Sequence, residues 1–348
     1  MNEKYYSLQI LRAIAAWMVF YHHYMQIFYD FKYESIIGHF FRSYGSFGVD
    51  IFFVLSGFVM YFSAKQPGID GLSFFIKRFF RVAPVYWFYT MLMVVSIAVF
   101  PIEFDYTSYD ATTLLSSLVF FPIENPSGLG YMPLLTVGWT LNFEMMFYTI
   151  LSLSIIFSMK YATLGCFSII LIFPLIWPSS FPFSQVLCST LLYTFLAGFV
   201  VASIVSSKYL KNFLKYKVVL SFVSLVISLV CFKLFGVHIL FKMISASFLV
   251  FSAVLLNSYL DTNNKIISYF VKLGDFSYST YLVHVFVLGI GLHYFGNKLN
   301  SSQEIVLIIG LSIILYVTSK YSYLYLEQNK YILLVREYLL TPKRIVHK

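Results

Sequence analysis

The sequence predicts an all-α integral membrane protein of about ten transmembrane helices in one bundle. Three observations predict it. Hydrophobic residues make up 59% of the 348 and charged residues only 11%, whereas a soluble domain carries about 25% charged residues. The mean hydropathy is +0.79, and apolar runs near the roughly 20 residues that cross a bilayer recur along the whole chain. Lysine and arginine also collect in alternate connections between those runs, as they do on the cytoplasmic side of membrane proteins.

The first apolar run, 8–29, carries Arg12 one turn inside its start and His22 and His23 further along. Ionisable groups inside a membrane helix are costly and point to function by default. Arg12 and His23 are eleven residues apart, which at about 100° per residue returns to within roughly 20° of one face, about 16 Å apart along the axis. The plainer alternative is a snorkelling arginine and an interfacial histidine. No small-residue cleavage site closes this run, so it is expected to stay as an anchor.

Further spans are expected at 46–63, 84–100, 137–158, 161–177, 184–206, 218–236, 240–260, 276–296 and 305–325, with 111–122 as an interfacial or re-entrant segment. With the N-terminus inside, the cytoplasmic connections hold groups such as Lys77, Arg78, Arg81, Lys160, Lys208, Lys215 and Lys272, while the outer ones hold Lys32, Arg42 and Lys298. This places both termini in the cytoplasm. The chain reads as a single domain, 1–348, with an outer loop at about 101–136 and a cytoplasmic tail at about 327–348. The acidic outer loop holds Glu103, Asp105, Asp110 and Glu124. The net charge of +9 fits positive-inside charge and a lipid surround, and no nucleic acid is implied. Cys166, Cys188 and Cys231 lie in apolar runs without ligand spacing, so neither disulfides nor a metal is expected.

Four stretches carry candidate chemistry. FGVDIFFVLSGF puts Asp50 just inside the outer boundary, at about the expected depth of His23, where it could fix the imidazole's tautomer. In FIKRFFRVAPVYW, which ends the loop before the third span, Arg78 and Arg81 are three apart and share a helix face. Guanidinium forks suit phosphate oxygens. VGWTLNFEMMFYT places Glu144 five to seven residues below the outer boundary and one turn from Tyr148, able to orient a hydroxyl or to pair with an arginine. LGDFSYSTYLVH repeats Ser277, Tyr281 and His284 at helical spacing, a polar stripe expected in the inner half of its span. His22/His23 and His284/His293 lack the one-turn spacing of a helical metal site.

As an ordered set these stretches resemble the acyltransferase-3 family of membrane acyltransferases, which includes polysaccharide and O-antigen O-acetyltransferases. The set runs from Arg12 and His23 in LRAIAAWMVFYHH through FGVDIFFVLSGF, Arg78–Arg81, GWTLNFEMMFY and LGDFSYSTYLVH. Glu327 in YLYLEQNKY looks like the family's terminal glutamate, although the proline often found after it is absent. The chain resembles the stand-alone members, without a fused esterase-like domain. The resemblance implies O-acetyl transfer from cytoplasmic acetyl-CoA to a hydroxyl of a surface glycan or lipid-linked saccharide, in the bacterial cytoplasmic (inner) membrane. On that reading His23, Arg12, Asp50 and Glu144 are catalytic, and Arg12, Arg78, Arg81, Tyr281 and His284 bind the donor. The alternative is a polytopic transporter or flippase for a glycan or its lipid-linked precursor, which also needs intramembrane charges. Against it, no repeat halves or matched broken helices are visible. No pattern in the sequence specifies an oligomeric state.

Overall fold

The computed structural model describes residues 5–32, 36–100, 110–176, 184–234, 239–296 and 301–341. Within them the chain is helical and has no strand. Helix α1 (Tyr6–Tyr29) is followed by α2 (Ile36–Tyr44), α3 (Phe47–Ala64), α4 (Gly71–Val99), α5 (Ala111–Leu118) and α6 (Trp139–Phe157). Then come α7 (Ala162–Ile176), α8 (Ser184–Leu187), α9 (Leu191–Ser206), α10 (Lys208–Phe213), α11 (Lys217–Leu234) and α12 (Ile239–Leu256). The last are α13 (Lys265–Asp275), α14 (Ser277–Phe295), α15 (Ser301–Ser322) and α16 (Lys330–Leu340).

Among the described residues seven helices are long and apolar enough to cross a membrane, or up to eight if the pair α13–α14, bent by 70°, is one span. Two expected spans fall outside that set. Helix α1 is 24 residues long, but Gln9, Arg12, His22, His23 and Gln26 dilute its apolar surface. Helix α9 is 16 residues long, because the run expected at 184–206 breaks between Leu187 and Leu191. The outer loop is described from Asp110 onward, and Glu103 and Asp105 lie outside the described residues.

Arg78 and Arg81 were expected to share a helix face in the connection ahead of the third span, and they lie in the helix that continues into that span. The Asp70 side chain accepts the Ser73 N–H at 2.9 Å and the Ser73 hydroxyl at 2.6 Å. That N-cap starts α4 at Gly71, thirteen residues before Pro84. Helix α4 continues through Pro84, whose missing N–H only forfeits one bond of the internal ladder. The arginine pair is therefore carried on a rigid element that runs into the bundle.

Helix α1 lies at the centre, touching α2, α3, α12, α13 and α14. Backbones approach closely where glycine allows it. A Cβ on Gly57 of α3 would meet the Phe195 carbonyl oxygen at 2.0 Å, and one on Gly198 of α9 would meet the Val54 carbonyl oxygen at 2.1 Å. Small residues at such crossings let packing contacts hold the helices together where lipid supplies no hydrophobic drive. The same device fixes how α1 sits on α3. A Cβ on Gly45 would meet the His22 Cβ at 2.5 Å, and one on Gly48 would meet the Ala15 carbonyl oxygen at 2.4 Å.

Candidate functional site

The unbroken α1 keeps Arg12 and His23 on one helix, about 16 Å apart along it. Helix α14 runs beside it in the same direction. Arg12 Nε donates to the Ser277 hydroxyl at 3.1 Å, and eleven residues on, the His23 ring stacks on His284 with centroids 5.1 Å apart. Two levels result, one of guanidinium and one of imidazole.

At the lower level a cavity of about 580 Å³ is lined by Arg12, Arg78, Arg81, Glu144, Tyr148 and Tyr281, among others. A second cavity of about 550 Å³ shares the three arginines and adds Lys77, Glu327 and Arg336. The arginines thus stand where two adjoining spaces meet. Arg78 donates to the Ser63 hydroxyl, and its guanidinium lies 5.9 Å from the Phe74 ring. Among the described residues none of the three arginines is ion-paired to a carboxylate. The nearby carboxylates are already engaged by hydroxyls. Glu144 accepts from the Ser56 hydroxyl at 3.0 Å and from Tyr148. Glu327 accepts from the Ser279 N–H at 3.0 Å and the Ser279 hydroxyl at 2.5 Å. The Ser322 hydroxyl in turn donates to Ser279 Oγ at 2.8 Å.

Tyr281 forms part of the upper end of the first cavity, its hydroxyl donating to the Val137 carbonyl at 2.7 Å and sharing a hydrogen bond with Thr140 at 2.9 Å. Directly beyond Tyr281 lies His284, the two rings 5.8 Å apart. Neither His23 nor His284 lines the cavity. His23 Nδ1 is 2.7 Å from Gln26 Oε1, and because an amide oxygen only accepts, Nδ1 carries the proton. His284 Nδ1 lies 2.6 Å from the Tyr281 carbonyl oxygen, which fixes its proton on Nδ1 by the same argument. The neighbouring His22 turns away, its Nδ1 2.9 Å from the Phe41 carbonyl oxygen.

One sequence expectation about placement needs correction. Asp50 does not reach His23. The α1–α3 crossing sets His22 against Gly45 and Ala15 against Gly48, and among the described residues Asp50 makes no hydrogen bond or ion pair with His23, whose Nδ1 is hydrogen-bonded to Gln26. The buried carboxylate sits instead in the first turn of α3, where the helix dipole favours a negative charge, and feels the charge of Lys242. Glu144 is held by its bond to Ser56, six residues beyond Asp50 on α3, and faces the arginine cavity. His284, in the first half of α14, packs on His23 rather than on the arginines. Arg12, Arg78, Arg81 and Tyr281 do meet on one cavity. Sequence reasoning missed Ser56 and Gln26; only Gln26 had a signal, its one-turn spacing from His23.

The model of the acyltransferase domain matches residues 5–320. The chain is also 39% identical over 115 residues to the exopolysaccharide production protein ExoZ of Rhizobium meliloti (strain 1021), covering 32% of this chain and 35% of that protein. It thus spans about a third of the curated relative's length. No solved structure matches the chain.

Proposed function

Because this chain belongs to the acyltransferase-3 family of acyltransferases, we propose that it moves an acyl group, acetyl foremost, from cytoplasmic acyl-CoA to a hydroxyl of an outward-facing surface polysaccharide or lipid-linked sugar. One observation carries the donor half of this reading: three guanidiniums face one cavity and no carboxylate is ion-paired to them among the described residues. Arg12 and Arg78 are half-buried and Arg81 is exposed, so all three can be reached by a ligand in the cavity, and guanidinium forks match phosphate oxygens. Arg78 and Arg81 take the phosphates of the donor at the cavity's mouth. Arg12 stabilises the negative charge that develops on the thioester oxygen. His23, the more accessible of the two stacked imidazoles, receives the acyl group or activates the acceptor hydroxyl, and an imidazole serves either role near neutrality. The likeness to a bacterial exopolysaccharide production protein supports a glycan acceptor, and the apolar helices support a membrane location, which we take to be the bacterial inner membrane.

Acetyl-CoA binding to the purified protein tests the reading. Wild type binds saturably, and the Arg78→Ala/Arg81→Ala double variant binds at least roughly 10-fold more weakly, since one charged hydrogen bond is worth about 1.5–3 kcal/mol. Equal binding by both chains, or none by wild type, contradicts the assignment of the donor site.

A further inference from the structure

His284 is 1% exposed, and its Nε2 has no hydrogen-bond partner among the described residues. Burying such an atom without a partner costs about 1–3 kcal/mol, so packing alone would favour an apolar residue here. The Tyr281 carbonyl holds the proton on Nδ1, which leaves a bare lone pair on Nε2. That lone pair can be satisfied only by a hydrogen-bond donor. Of the two proposed substrates' reacting groups, the acceptor hydroxyl is a donor and the thioester is not. The ring next to it is His23, whose own Nδ1 is engaged by Gln26.

We propose that His284 is a second catalytic residue, the base that takes the acceptor's proton while His23 carries the acyl group. The inference rests on the acyl-transfer reading above. His23 Nε2 attacks the thioester carbonyl carbon, a C–N bond forms, the C–S bond breaks and the thiolate leaves with its electron pair. The acceptor oxygen then attacks the same carbon as its proton passes to His284 Nε2. The C–N bond breaks, its electron pair returns to His23, and His284 later gives the proton to the thiolate. The two stacked imidazoles thereby divide nucleophile and base between them.

Radiolabelled acetyl-CoA separates the roles. Wild type takes up label and discharges it when the acceptor glycan is added, whereas His23→Ala takes up none. His284→Asn keeps an N–H for the Tyr281 carbonyl but has no Nε2, so it takes up label and discharges it at least about 100-fold more slowly, the usual scale of general-base catalysis. In His284→Ala, added imidazole restores discharge, which a purely structural role would not allow. Discharge by His284→Asn at the wild-type rate, or no rescue by imidazole, overturns the base. Ester product from a wild-type chain that never holds label overturns the division of roles while leaving the acyltransferase reading intact. A wild-type chain that makes no ester from acetyl-CoA and the native glycan overturns both.

Discussion

His23 has two nitrogens with different fates, and the bond from Nδ1 to Gln26 leaves Nε2 for chemistry. Replacing Gln26 by Ala frees the ring to rotate and to exchange tautomers, and is expected to lower the transfer rate by about 10- to 100-fold, as the loss of an orienting partner does at other sites. Asp50→Asn is expected to change it much less, within about 10-fold, because the His23 ring is hydrogen-bonded to Gln26 and not to Asp50. Initial rates of ester formation by the two variants check both. A larger loss in Asp50→Asn than in Gln26→Ala contradicts the assignment. The facial pairing of Arg12 with His23, and of Arg78 with Arg81, was legible in the sequence because the helical period alone sets it. The level of Asp50 was not. It depends on how α3 crosses α1, which Gly45 and Gly48 decide by close approach to His22 and Ala15.

At the scale of elements, two helix starts and one crossing position the site. The Asp70 cap begins α4 early enough to make Arg78 and Arg81 helical. The hydroxyl and amide of Ser73 hold the Asp70 carboxyl below the usual carboxylate range. A depressed carboxylate pKa contributes stability above its unfolded value and loses it as the pH falls through the folded one. Asp70→Ala is expected to cost roughly 1 kcal/mol near neutrality, and the gap from wild type narrows in acid below about pH 4. Thermal unfolding in detergent at several pH values measures this, and a gap that widens in acid contradicts it. The α3–α9 crossing leaves no room for side chains at Gly57 and Gly198. Gly198→Leu must push two backbones apart, with the largest loss of folded protein among these variants. Fluorescence-detected size exclusion reports it, and a monodisperse wild-type peak at wild-type yield contradicts it. The bend between α13 and α14 was invisible in the sequence, because Glu327, from a distant stretch of the chain, supplies the acceptor for the Ser279 N–H.

For the whole molecule, composition was enough for the class. Low charge and high hydropathy predict an all-helical membrane protein, and the described residues hold helices and no strand, with seven to eight helices suited to crossing. The number of spans was less legible, because apolar content does not reveal breaks such as the one between α8 and α9, nor helices joined end to end such as α2 and α3. The gathering of Arg12, Arg78 and Arg81 on one cavity matches the donor set that the family resemblance implies, while the stacking of His23 on His284 required the third dimension. We propose that this fold esterifies a glycan through His23. Mass spectrometry of the surface polysaccharide from cells making wild type, His23→Ala or no protein tests it most directly, with the native glycan present. An added ester mass, acetyl foremost, is expected with wild type alone. An equal ester mass with His23→Ala, or none with wild type, would contradict it.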